Sequence, residues 1–132
     1  MTESAAIPQF TAYADLDLQA LSNARGRIGW TPLLIYALAR TLREHPILNS
    51  VWRGGEPVPA DHVGIALSVD TPVGLVAPVL TDPDELALDE LDAADRRVVE
   101  QARNGRLASD AVEGATVTLS NLGGFGVRVF QA

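Results

Sequence analysis

The stretch VGIALSVDTPVGLVAPVL, residues 63–80, decides the fold class. It holds two apolar runs, 63–70 and 75–81, each β-branched-rich and about the length of a strand. Thr71, Pro72, Val73 and Gly74 between them are turn chemistry, so two strands are expected. Pro78 cannot donate to a ladder, which predicts an edge or a bulge in the second strand. The run TPVGLVAPV, residues 71–79, fits a tight hairpin with an edge strand and equally a channel wall for an extended ligand.

Downstream, Asp82-Pro83-Asp84 is expected to open a helix that buries Leu88, Leu91, Val98 and Ala102 on one face. Asn104-Gly105 should end it. Residues 115–122 alternate, with Ala115, Val117, Leu119 and Asn121 opposite Thr116, Thr118, Ser120 and Leu122. That is a further strand, followed by a turn at Gly123, Gly124 and Gly126 and a final strand at 127–130. Upstream, residues 10–18 alternate apolar and polar and predict a strand, then a short helix to Arg25 with Asp17 as cap. Thr31 as N-cap with Pro32 at the first helical position should start a second helix. It buries Leu33, Leu34, Ala37, Leu38 and Leu42 and stops near Glu44, before Pro46. Val51-Trp52, Gly54-Gly55 and Val58 suggest a hairpin. Interleaved strands and helices give an α/β or α+β class in one domain of 132 residues.

Composition narrows the chemistry. With no cysteine there is no disulfide, thiolate nucleophile or cysteine metal site. With no lysine there is no Schiff base and no P-loop lysine. The net charge of −7 argues against nucleic acid as a partner. Most of it lies between residues 82 and 100, where eight acids meet two arginines, and a solvated helix face is the expectation there. No apolar run reaches the ~20 residues of a membrane span, and residues 1–10 lack the basic and apolar regions of a leader. No membrane is expected as a partner, and a cytoplasmic location is the default.

Among candidate site residues, Ser120-Asn121-Leu122-Gly123 ends a strand and enters a glycine-rich turn. There a hydroxyl and an amide can project into a cleft, although the same residues also make an ordinary strand end. Gly-x-Ser-x-Gly is absent, so this is no nucleophile elbow. Gly124-Phe125-Gly126 is only half a dinucleotide fingerprint and is set aside. His45 is read as a helix-end residue. His62 follows Asp61 at the start of a strand, where neighbours point to opposite faces, so no Asp–His pair is expected. Neither histidine has metal-site spacing, so no metal is expected.

Four segments, in order and at the right spacing, resemble one family: IPQFTAYADLDLQAL (7–21), PLLIYALARTLREHPILNSVW (32–52), VGIALSVDTPVGLVAPVL (63–80) and GATVTLSNLGGFGV (114–127). MTES at 1–4 resembles the end of that family's first helix. The family is the catalytic domain of dihydrolipoyl acyltransferases, components of 2-oxo-acid dehydrogenase complexes. The resemblance implies a chloramphenicol-acetyltransferase-like mixed sheet flanked by helices. It implies trimers, or a larger core, with the active site between subunits. It implies acyl transfer between dihydrolipoamide and coenzyme A, with the lipoyl group carried on a separate domain. Ser120 matches the family's serine, which hydrogen-bonds the oxyanion of the tetrahedral intermediate. Asn121, Gly74, Leu75 and Pro78 match positions near the coenzyme and lipoyl channel. The family's basic histidine lies downstream of the serine motif, and neither His45 nor His62 aligns with it. Residues 1–132 are therefore expected to be a partial catalytic domain, incomplete at the C-terminus, without lipoyl or peripheral-subunit-binding domains and with little activity alone. A non-catalytic scaffold or interaction module of the same fold, or another coenzyme A acyltransferase of that fold, are the alternatives. Replacing Ser120 by alanine is expected to change stability by no more than about 0.5 kcal/mol.

Overall fold

The computed structural model describes residues 9–130. Its centre is a three-stranded sheet in the order β6-β3-β7, formed by β3 (Gly64–Leu67), β6 (Val79–Thr81) and β7 (Val117–Leu119). β3 runs antiparallel to β6 and parallel to β7, so the sheet is mixed. Two antiparallel hairpins accompany it: β1 (Ser50–Arg53) with β2 (Glu56–Pro59), and β4 (Val69–Thr71) with β5 (Gly74–Val76). Three helices complete the order: α1 (Gln19–Ala24), α2 (Trp30–Glu44) and α3 (Leu88–Arg103).

The core lies where α2 and α3 meet the sheet. Ile35, Ala39 and Leu42 of α2, Leu91, Val98 and Ala102 of α3, and Val63, Ile65 and Leu67 of the β3 region form one buried cluster. Val117 and Leu119 pack against it from β7. Gly64 is required by the close approach of the chain before β7, because a Cβ there would collide with the Gly114 carbonyl.

The two apolar runs of 63–81 each break into two strands. β3 and β4 are separated at Ser68, and β5 and β6 at Ala77-Pro78. β6 is one edge of the sheet, as Pro78 just before it predicts, and Pro78 is buried with its carbonyl accepting the Leu67 N–H at 2.8 Å. Other expectations need correction. Residues 9–18 and 127–130 form no ladder among the described residues, and Phe10, Tyr13, Leu16, Val129 and Phe130 are exposed. α2 starts at Trp30, not at Pro32, because the Asp92 carboxylate, reaching across from α3, accepts the N–H of its cap Gly29 at 2.9 Å. Ala37 is exposed; Ile35 and Ala39 take its place on the inward face.

Asp82-Pro83-Asp84 opens a single 3-10 turn, not α3. Asp82 adopts a left-handed φ of 47° and its carboxylate accepts the Val63 N–H at 2.8 Å, which ends the β3–β6 ladder. α3 begins at Leu88, where Glu90 reaches back to the Ala87 N–H at 3.0 Å. Its C-terminus closes as predicted: Gly105 has φ of 63°, and the Arg106 N–H bonds the Gln101 carbonyl at 2.8 Å. Asp17 serves α1 by accepting the Gln19 N–H at 2.9 Å. No helix of the described residues is long and apolar enough to cross a membrane.

Candidate functional site

Parallel pairing with β3 fixes the faces of β7, with Ile65 opposite Val117 and Leu67 opposite Leu119. The apolar pair enters the core, so Thr118 and Ser120 take the other face. Ser120 follows the strand and its hydroxyl lies 2.8 Å from the Ser68 hydroxyl, at the break between β3 and β4. The two serines share one hydrogen bond. When Ser68 is the donor, the proton of Ser120 is free for a ligand. Both serines line a cleft of about 320 Å³ between the end of β7, the β4–β5 hairpin and α3. The serine pair corrects the expected neutrality of a Ser120 substitution, since a half-buried hydrogen bond contributes about 1 kcal/mol.

Asn121 also borders the cleft, but its amide is engaged. Its Nδ2 donates to the Thr31 hydroxyl at 3.3 Å and its Oδ1 accepts the Gly123 N–H at 3.0 Å. It ties the end of β7 to the start of α2 and holds the following turn. Leu75 projects from β5 into the same cleft and is largely exposed. Gly74 and Pro78 do not line it: Gly74 makes the hairpin turn with φ of 118°, and Pro78 is buried under the sheet edge. Residues 71–79 thus make a tight hairpin, and one residue of it faces the cleft.

Sequence reading missed Ser68, Thr31 and the α3 side of the cleft, where Asp95, Val99 and Arg103 stand. One signal was available. Leu91, Asp95, Val98 and Ala102 follow helical spacing, so an acid interrupts the inward stripe. The acidic stretch is therefore not a purely solvated face. Asp92 holds Gly29 and pairs with Arg96 at 2.7 Å, while Asp82 and Asp84 pair with Arg43 at 2.7 and 3.1 Å. Asp95 is half-buried; burial, with Asp92 adding to it, pushes its carboxyl above the usual range.

Neither histidine lines this cleft. His45 caps α2 at its C-terminus. His62 corrects the expectation for Asp61: residues 61 and 62 precede β3, not within it, so the strand rule does not separate them. The His62 Nδ1 lies 3.0 Å from the Asp61 carboxylate and its Nε2 lies 2.8 Å from the Gly114 carbonyl. Both partners accept, so the charged ring satisfies both and the pKa rises, chiefly through Asp61. No group of three or more potential metal ligands occurs among the described residues.

Residues 1–132 match throughout the family described as 2-oxoacid dehydrogenases acyltransferase (catalytic domain). The chain belongs to this family. It is 34% identical over 115 residues to the dihydrolipoyllysine-residue acetyltransferase component of the mitochondrial pyruvate dehydrogenase complex of Schizosaccharomyces pombe, covering 87% of this chain and 24% of that one. Among solved structures it superposes with a TM-score of 0.76 and 35% identity on Azotobacter vinelandii dihydrolipoamide acetyltransferase, covering 87% of this chain and 49% of the other. In that enzyme the catalytic roles of a serine, a histidine and an asparagine have been investigated. The cubic core of the pyruvate dehydrogenase multienzyme complex gives the same TM-score of 0.76 and 35% identity, again with 87% and 49% covered. The acyltransferase-domain fold, a mixed sheet flanked by helices, is thus the fold of this chain. The chain spans less than a third of the length of the curated relatives it matches.

Proposed function

We propose that residues 1–132 are part of an acyltransferase catalytic domain that moves an acyl group between dihydrolipoamide and coenzyme A. The observation that carries this reading is the Ser120 hydroxyl, held by Ser68 at the rim of a ligand-sized cleft in a chain of this family. Attack of one thiol on the thioester carbonyl forms a new C–S bond and puts negative charge on the carbonyl oxygen. Ser120 donates to that oxyanion, with Ser68 donating to Ser120. Collapse breaks the old C–S bond, and the attacking thiol's proton passes through a base to the leaving thiolate. One such donor is worth about 2.7–4 kcal/mol. Leu75 lines the path of the thiol arms; Asn121, Gly74 and Pro78 hold the backbone around it. Coenzyme A and the lipoyl group are substrates, the latter arriving on a separate domain, and no metal takes part.

We propose a base from outside the described residues, because the His62 ring is engaged at both nitrogens and neither histidine lines the cleft. A trimer or larger core is the assembly we propose, as in the cubic core that the fold superposes on. The experiment is a thioester-exchange assay from acetyl-dihydrolipoamide to coenzyme A on the 132-residue chain. Weak exchange above background is expected, at least ~10²-fold below a median enzyme turnover of ~10 s⁻¹ because the base is missing. Ser120→Ala should reduce that residue of activity by about 10²–10³. Full turnover would mean that a base lies within these residues; exchange unaffected by Ser120→Ala would remove Ser120 from the site.

A further inference from the structure

Asp95 stands at an inward position that the rest of α3 fills with apolar side chains. Leu91 lies one turn before it and Val98 and Ala102 follow, all three buried. A carboxylate there interrupts the stripe that binds α3 to the core. The other inward acids hold partners: Asp82 takes the Val63 N–H and Arg43, and Asp92 takes the Gly29 N–H and Arg96. Asp95 takes neither kind. Its Oδ1 is buried without a hydrogen-bond partner. Arg96 is already engaged by Asp92. Arg103 faces the same cleft but lies about 12 Å further along the helix axis and forms no ion pair with Asp95 among the described residues. An unpaired buried acceptor is destabilising, so an apolar residue would serve the fold better at this position.

Asp95 lines the cleft that Ser120 and Ser68 line. We infer that the Asp95 carboxylate is a substrate contact, accepting a hydrogen bond from an amide N–H on one of the thiol arms that enter the cleft. This rests on the acyl-transfer reading, in which both arms carry amide N–H groups: pantetheine beside its thiol, and lipoamide at the far end of its acyl chain from the thiols. An uncharged donor fits, because Val99, Leu119 and Leu122 make the neighbouring wall apolar. Burial raises the carboxyl's pKa, and a donor from the ligand would offset the same loss of solvation.

The test is calorimetric titration of the 132-residue chain with coenzyme A and, separately, with dihydrolipoamide, alongside thermal denaturation. Asp95→Leu completes the stripe and should raise Tm by about 3 °C. It should weaken one of the two probes by about ten-fold, the loss of one charge-assisted hydrogen bond, and the probe affected identifies the arm. Asp95→Asn keeps a carbonyl acceptor and should bind both probes within about three-fold of the original. Asp95→Ala adds no bulk and should give the same loss as leucine, which covers a leucine variant that fails to fold. Unchanged binding of both probes by the leucine and alanine variants would overturn the inference. So would a lowered Tm in both, which would make Asp95 part of the scaffold. A starting protein that binds neither probe would overturn the acyl-transfer reading itself, before any variant is compared.

Discussion

β3 and residues 127–130 are both short, mainly apolar segments that read as strands, and they have opposite fates. Gly64-Ile65-Ala66-Leu67 is buried at every position and paired on both edges. Val127-Arg128-Val129-Phe130 is richer in strand-forming residues, yet it forms no ladder among the described residues and is exposed throughout. Residues 10–18, with a stronger alternation, likewise form no ladder among the described residues. Strand propensity measures fit to a pleated, half-buried surface; a strand also needs a neighbour for its N–H and C=O groups. β3 has β6 and β7 beside it and α2 and α3 above it.

Core truncation should separate the two regions most sharply. Ile65→Ala removes a fully buried side chain and should lower stability by about 2–5 kcal/mol. Val129→Ala should stay within about 0.5 kcal/mol. Urea denaturation of both variants is the measurement, and comparable losses would mean that residues 127–130 pack in solution.

The cleft should give an intermediate effect, because its polar pair is only half-buried. Ser68→Ala and Ser120→Ala are each expected to lose about 1 kcal/mol. The double variant should lose less than the sum, since both single changes remove the same bond. Strict additivity in a double-mutant cycle would show that the two hydroxyls do not interact.

The smallest expected effect is a pH dependence outside the cleft. Asp61 and the Gly114 carbonyl favour the charged form of the His62 ring, so its folded pKa lies above its unfolded value of about 6.5. A raised histidine pKa gives stability that is complete below the unfolded value and lost as pH rises through the folded one. Thermal unfolding should therefore show a falling contribution from about pH 6.5 upward, absent in His62→Ala. An identical profile in that variant would assign the dependence to another group.

Much of this site was legible in the residues, but unevenly. Ser120 stood out because the alternation of 115–122 puts hydroxyls on one face and Val117 with Leu119 on the other, and the β7 pairing keeps those faces. Ser68 did not, because a serine between two apolar runs carries no sign of the strand that will lie beside it. Asp95 left a trace as an acid on an apolar stripe, but the abundance of acids around it pointed to solvent.

Local chemistry determined what depends on near neighbours. The Gly54-Gly55 hairpin, the α3 end at Asn104-Gly105 and the edge position marked by Pro78 all follow from φ preferences or a missing N–H, and the sequence alone was enough for them. Contacts across long chain separations were decided by tertiary structure. Asp92 caps α2 from 63 residues away, and Ser68 meets Ser120 across 52. Asn121 bonds Thr31 across 90, and the Asp61–His62 pair is completed by Gly114. In each, a short polar side chain finds its partner only after packing of the apolar faces has brought two distant segments together. The sequence records the polar group but not the partner.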